Sequence, residues 1–350
     1  MQTAIDRVLA EYGFTEDVDP VSTIVVGGPV LAARKAGVTA AARVYERNPA
    51  TGRDGKESPS DGGKFRTKKG GTSESKAKDD DGKKDAKKVS PFAELRDAQA
   101  DKILADAVDT QEMYAGPVEG YTQERVDTFQ DPWIASELVK GTPGQTNPVT
   151  LFMAGGSGSG KSTLLPMLSD DLKPPDSVMV NPDLAKEANP EFKKLVSDGS
   201  TYAAAGTHEE SSDMSKRLLG QAVAGDYHAI VDGTGNSGTG KFMAKIDAQK
   251  ALGRKVKIVM ADIPTDVAVE RARKRAERTG RFVPEKEIRA IHKSVAVNHK
   301  VWRDQVDDWE VWANDGAPGT GKVIARRVGG GKIEVLYKAR YQQALDKADE

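Results

Sequence analysis

The sequence predicts an α/β fold: a doubly wound parallel sheet flanked by helices, preceded by a partly disordered N-terminal extension. Two observations on residues 147–316 support the sheet. Short apolar runs at 149–154, 177–180, 228–231, 256–261 and 310–313 alternate with helical stretches at 160–169, 190–197, 209–224, 240–252, 267–278 and 284–306. That alternation is the pattern of repeated strand–helix–strand units. The first run passes directly into a Gly-rich loop and an apolar helix start, VTLFMAGGSGSGKSTLL, as a buried parallel strand followed by its crossover would. The extension is predicted by residues 48–90, where Gly, Ser, Lys and Asp dominate and Phe65 is the sole aromatic. Such a stretch buries too little apolar surface to offset the entropy of ordering.

Composition sets outer limits. The 350 residues have room for one large domain or two smaller ones. A formal net charge of -1 gives no global field toward nucleic acid or a membrane surface. Cysteine is absent, which excludes disulfides and thiolate chemistry and fits a reducing cytoplasm. No apolar run reaches membrane-spanning length, and MQTAIDRVLAEYGF lacks the basic start and apolar run of a secretion signal.

In chain order, residues 1–47 form a small segment of unread role, with a short helical pattern and the apolar run 21–32. Residues 48–90 are a polar tether whose lysines are interleaved with Asp79, Asp80, Asp81 and Asp85. Residues 91–140 read as helices packing on the core, with Phe92, Leu95, Ala98, Ile103, Leu104, Ala107 and Val108 at helical spacing. Residues 141–316 hold the predicted sheet. Residues 317–350 read as a hairpin, 323–328 and 332–337 around Gly329–Gly331, then a polar helix at 339–347.

The chemistry concentrates after the predicted strands. Gly155, Gly156, Ser157, Gly158, Ser159, Gly160, Lys161, Ser162 and Thr163 complete the pattern G-x-x-x-x-G-K-[ST] in strand–loop–helix context. Glycines let backbone N–H groups wrap a phosphate, and the helix N-terminus adds partial positive charge. Lys161 is placed to reach the phosphates and Ser162 to hold Mg²⁺. After the second strand, Asp183 in Asn181-Pro182-Asp183 suits either a base that takes a proton from an attacking hydroxyl or the N-cap of the next helix. After the third strand, Asp232 in Asp232-Gly233-Thr234-Gly235-Asn236 stands at the Walker-B position, with Thr234 and Asn236 toward the acceptor; a polar turn is the alternative. Glu209 and Glu210 open the helix before that strand and suit either its dipole or a sugar hydroxyl. His208 has no spaced partner for zinc. Arg271, Arg273, Arg275, Arg278 and Arg281 crowd one helix and its exit; two of them are expected to clamp the transferring phosphoryl group, the others to face solvent.

Taken together, GGSGSGKST, VNPDLAK, THEESS, VDGTGN, VERARKR and TGRFVPE resemble, in order, the motifs of the zeta toxin family of P-loop kinases over the second half of the chain. The resemblance implies a P-loop kinase fold that uses ATP and Mg²⁺ to phosphorylate the 3′-hydroxyl of a small-molecule sugar nucleotide, UDP-N-acetylglucosamine. It also implies a neutralising antitoxin partner, separate or fused; residues 1–47 and 91–140 are the segments available here for a fused one. By the same resemblance Asp183 is the base, Asp232 replaces the family's strand-end acidic residue, Thr234 lies near the acceptor, and Glu209 or Glu210 contacts the sugar. Arg271 and Arg281 look like the family's two phosphate-clamping arginines, although their spacing is short for the family, which brings Arg275 and Arg278 forward as alternatives for the first. A 5′-hydroxyl polynucleotide or nucleoside kinase would share the loop and the Asp, and a nucleotide-gated binding module would share the loop alone. The acidic residues among the motifs and the near-neutral charge weigh against nucleic acid.

Overall fold

The computed structural model describes residues 95 and 97–350. The readings of 1–47 and 48–90, and Phe92 of the helical stripe, lie outside the described residues.

A seven-stranded sheet organises these residues. After the short β1 (Ala115–Val118) come β2 (Val149–Ala154), β3 (Val178–Val180), β4 (Ala229–Asp232), β5 (Lys255–Asp262), β6 (Asp308–Ala313), β7 (Lys322–Arg327) and β8 (Glu334–Val335). The spatial order is β3-β4-β2-β5-β6-β7-β8. The first five of these are parallel, whereas β7 and β8 add on antiparallel. All six residues of β2 are buried, as a central strand covered on both faces requires. Its side chains alternate: Phe152 and Ala154 pack with Phe242, Ile258 and Trp302, whereas Leu151 and Met153 pack with Leu164, Val259 and Trp312. From β2 the chain crosses to β3 and β4 on one side and then to β5 on the other. The carboxyl end of β2 therefore lies where the winding reverses, the place where such sheets bind ligands.

The helices are α1 (Asp97–Ala105), α2 (Thr110–Met113), α3 (Gln123–Arg125), α4 (Asp131–Leu138), α5 (Lys161–Leu164), α6 (Pro182–Ala188), α7 (Pro190–Ser197), α8 (His208–Ala224), α9 (Thr239–Ala251), α10 (Thr265–Thr279), α11 (Glu285–Trp302) and α12 (Lys338–Asp346). One π-helical turn, Val126–Gln130, joins α3 to α4. Among the described residues no helix is long and apolar enough to cross a membrane.

Three differences from the sequence expectations have local causes. The helix expected over 160–169 ends at Leu164 and tightens into a 3₁₀ turn, Leu165–Met167, because Pro166 has no N–H to continue the ladder. The stripe drawn to Val108 stops at Ala105; Ala100 is the buried residue of α1 and Val108 is exposed. Asp183 does not cap α6. Asn181 does, accepting the Asp183 N–H at 2.8 Å, which leaves the Asp183 carboxylate at the second helical position and half-exposed.

Candidate active site

Four segments meet at the carboxyl end of the sheet: the loop after β2, the β3–α6 turn, the loop after β4, and helix α10 with its exit. The loop after β2 is held from behind. Asn314, just past β6, donates its Nδ2 to Ser159 O at 2.9 Å, Gly160 O at 3.0 Å and Thr163 Oγ1 at 3.2 Å. His292 on α11 lies with Nε2 3.2 Å from Ser157 O. A carbonyl only accepts, so Nε2 carries the proton. Burial pushes this imidazole down to about 4, so it is neutral at pH 7. The same ring explains Gly156, where a Cβ would sit 2.4 Å from it. Gly158 is left-handed (φ 80°), and a Cβ there would meet Ala268 O of α10 at 2.3 Å. Lys161 opens α5 and turns its ammonium back to donate to Gly155 O at 2.7 Å. Burial lowers its pKa, while the nearby Asp232 and Asp183 raise it. Ser162 and Thr163 are exposed on the first turn, and Thr163 donates to Gly160 O at 2.7 Å. The Ser159 hydroxyl is buried with no hydrogen-bond partner among the described residues.

Across from this loop, Asp232 ends β4. Its Oδ2 accepts from Asn181 Nδ2 at 3.0 Å, whereas its buried Oδ1 has no partner among the described residues. Burial raises its pKa, opposed by Lys161. The turn that follows is fixed by Asn298 of α11, which donates to Gly235 O and Ser237 O at 2.7 Å each and accepts from Thr239 at 2.8 Å. Thr234 hydrogen-bonds Asn236 through its hydroxyl and accepts the Gly155 N–H at 2.9 Å, which ties the two loops together. Asp183 faces this cleft. Its Oδ2 is 2.9 Å from Arg281 Nη1, and its Oδ1 is 3.9 Å from the buried ammonium of Lys186.

The structure separates the arginines of α10. Arg271 spends its guanidinium on the carbonyls of Asn314, Asp315 and Gly316 at 2.8, 3.1 and 2.9 Å. Arg275, one turn on, donates to Ser157 Oγ of the phosphate loop at 2.7 Å and keeps a buried Nε without a partner among the described residues. Burial, then the charge of Arg281, lowers its pKa. Gly280 (φ 67°) ends the helix and turns the chain so that Arg281 returns to Asp183 and to Glu187 at 3.1 Å, its own Nε also without a partner among the described residues. Arg273 pairs with Glu285 at the surface and Arg278 is exposed. Arg275 and Arg281 thus share the cleft, and Arg271 does not join them there. The two glutamates also part. Glu209 is exposed at the start of α8, whereas Glu210 is fully buried, its two oxygens taken up by Arg125, Gln130 and Asn189. Glu210 is not available to a sugar.

Sequence reasoning missed Asn314, His292 and Asn298. Each acts on a backbone carbonyl far away in sequence, and no local pattern marks that. The N-D-G following a strand at 314–316 was the single signal within reach.

A phosphate-cradling loop, a cation at its helix, a carboxylate at the end of each of two neighbouring strands and arginines on a helix above define a P-loop phosphotransferase. Residues 135–317, just over half of the chain, match the family described as zeta toxin, and the chain belongs to that family of kinases. No curated protein matches the chain. Among solved structures it is similar to the complex AvrRxo1-ORF1:AvrRxo1-ORF2 with sulphate ions (18% identity, 69% of this chain and 82% of that one, TM-score 0.54). The same complex with ATP is similar at 17% identity, with the same coverage and TM-score. A third similar structure belongs to the PezAT chromosomal toxin-antitoxin system of Streptococcus pneumoniae (14% identity, 65% and 96% coverage, TM-score 0.47).

Proposed function

We propose that the chain transfers the γ-phosphoryl group of ATP to a hydroxyl of a sugar nucleotide, with UDP-N-acetylglucosamine as the leading acceptor. The observation that carries this is the placement of Asp183: a half-exposed carboxylate just past β3 in the first turn of α6, held by Arg281 and close enough to Lys161 of the phosphate loop to raise its pKa. The ATP-bound relative of the same fold supports the donor.

The site fits Mg²⁺-ATP. The unpartnered Asp232 Oδ1 and the exposed Ser162 hydroxyl are the oxygens that would hold Mg²⁺, which supplies charge neutralisation at the phosphates. Lys161 exchanges the Gly155 carbonyl for phosphate oxygens, and the loop N–H groups with the α5 N-terminus hold the rest. Arg275 is already hydrogen-bonded to the loop and offers to the γ-phosphoryl group an Nε without a partner among the described residues; Arg281 offers its own from beside Asp183. The pair is thus Arg275 and Arg281, with Arg271 fastening α10 to the 314–316 loop. As the acceptor oxygen bonds to phosphorus, Asp183 takes its proton, the bond to the ADP oxygen breaks, and the arginines meet the charge on the moving group. Thr234 and Glu209 border the acceptor side. Arg281 pairs with Asp183 until the γ-phosphate draws it away, so ATP binding exposes the base. Membership of the zeta toxin family supports an antitoxin as protein partner, and ATP as donor fits a cytoplasmic setting.

The test offers the protein γ-labelled ATP with Mg²⁺, UDP-N-acetylglucosamine and an oligonucleotide with a free 5′-hydroxyl. Label on the sugar nucleotide is expected, and label on the oligonucleotide alone would overturn the acceptor. Asp183→Asn is expected to lower transfer by about 10²- to 10⁴-fold while ATP binding persists.

A further inference from the structure

One cation from outside the family match is built into the acceptor side. Arg125 lies ten residues before the matched stretch and is 6% exposed. Its Nε donates to Glu210 Oε1 at 2.7 Å, and its Nη2 reaches Glu210 Oε2 at 2.9 Å and Glu191 Oε2 at 2.7 Å. Its Nη1 reaches Glu191 Oε1 at 3.3 Å. The guanidinium lies 4.1 Å from the Tyr114 ring centre and 4.4 Å from that of Phe129, and the Tyr114 hydroxyl donates to Glu191 at 2.5 Å. The two carboxylates hold the acceptor-side helices. Glu210 is in the first turn of α8, beside Glu209, and accepts from Asn189 Nδ2 at 3.0 Å. Asn189 is the joint between α6 and α7. Its N–H closes α6 on Ala185 O and Lys186 O, and its Oδ1 opens α7 by accepting from Glu191 N at 2.8 Å and Phe192 N at 3.2 Å. Asp183 rides on the same short α6.

We propose that Arg125 is a positioning residue for phosphoryl transfer: its fork fixes the α6–α7 joint against α8 and thereby sets where Asp183 stands relative to the phosphate loop. The proposal rests on Asp183 being the base. Arginine suits the task because one rigid planar group reaches two carboxylates while stacking on two rings, whereas lysine offers a single point of charge. Misplacing a reacting group by about 1 Å costs up to about 10²-fold in rate, so the effect is kinetic as well as structural.

A purely structural ion pair has a distinct signature. Losing one buried partner destabilises, but replacing both by apolar residues restores stability. The experiment therefore compares full-length wild type, Arg125→Lys, Arg125→Met and the double variant Arg125→Met/Glu210→Met. It reads urea midpoints, affinity for a fluorescent ATP analogue, kcat and KM for transfer to UDP-N-acetylglucosamine, and amide hydrogen exchange. The double variant is expected to regain most of the midpoint that Arg125→Met loses. Its kcat is expected to stay down by about tenfold or more, with ATP affinity within about twofold of wild type. Amides of 182–197 should exchange faster while those of β2 stay protected. Arg125→Lys, which keeps the charge, is expected to fold and to show the same kcat defect. Recovery of wild-type kcat and exchange together with stability in the double variant, or wild-type kcat in Arg125→Lys, overturns the proposal. Were the wild type to leave the sugar nucleotide unlabelled, the kinase reading alone would fall, and unchanged exchange at 182–197 would still overturn the positioning role.

Discussion

Side chains one helical turn apart have been given different work. Arg271 and Arg275 lie on the same face of α10, yet the first is bound to three carbonyls and the second touches the phosphate loop. Arg275→Ala is expected to lower kcat by about 10²-fold or more, the scale of losing one donor to transition-state charge, with little change in the urea midpoint. Arg271→Ala should do the reverse: it frees the largely exposed 314–316 loop from α10, at about 1 kcal/mol, and reduces kcat less. Steady-state kinetics beside urea melts of the two variants decide the point, and equal kcat losses would sink the distinction. The sequence could not make this choice, because helical periodicity puts both arginines on one face and the partners come from residues 157 and 314–316. The places of Lys161, Ser162 and Asp232 were legible because a phosphate-loop pattern and a strand end are local in sequence. The partners of Glu210 were hidden for the same reason as those of Arg271: Arg125 and Gln130 are about eighty residues upstream.

Among the elements, the strands were the most legible, and the last helix was legible in its place but not in its attachments. A buried parallel strand is a continuous apolar run, so β2 could be read directly, and Gly329–Gly331 marked the turn between β7 and β8. The final helix read as a polar closure. The structure instead fastens it to the site's frame: Asp262, 2% exposed at the end of β5, accepts from Arg340 at 2.7 Å and from Lys347 at 2.6 Å, and Lys347 also donates to Ile263 O. Two cations share one buried carboxylate, so the three members are not equivalent. Asp262→Asn removes the anion from both and is expected to cost about 3–5 kcal/mol. Lys347→Met leaves Asp262 with Arg340 and exchanges a buried ammonium for an apolar chain of similar length. Its midpoint should move by less than half as much. Urea denaturation of the two variants ranks them, and a larger loss for Lys347→Met would show that the lysine, not the carboxylate, holds the helix.

At the scale of the molecule, the four histidines give the fold a common response to acid. All four are shifted below their ordinary pKa chiefly by burial, His292 to about 4 and His299 to about 3. His299 is wholly enclosed by Trp302, Trp309 and Tyr341, with its Nε2 2.9 Å from the tyrosine hydroxyl. A base whose pKa is depressed by folding binds its proton in the unfolded chain first. Above pH 6.5 both states are neutral and the full stability is present. As pH falls below 6.5 the unfolded chain takes up protons that the folded one refuses, and stability drops until the folded pKa is reached. His292 and His299 together predict a slope of about 2 kcal/mol per pH unit near pH 5.5. Urea melts from pH 7.5 to 5 measure it, above the range in which ordinary carboxylates titrate. His299→Phe should remove about half of the slope, since a phenyl ring fills the same apolar cage and takes up no proton. The other half belongs to His292, whose neutral Nε2–H holds Ser157 O in the folded protein down to about pH 4, so the phosphate loop keeps this bond over the range in which stability falls. Stability is therefore expected to fall from pH 6.5 to 5 while His292 still holds the loop, and an ATP affinity of the folded protein that fell in step with stability, in wild type and not in His292→Asn, would show that His292 gains its proton in the folded state.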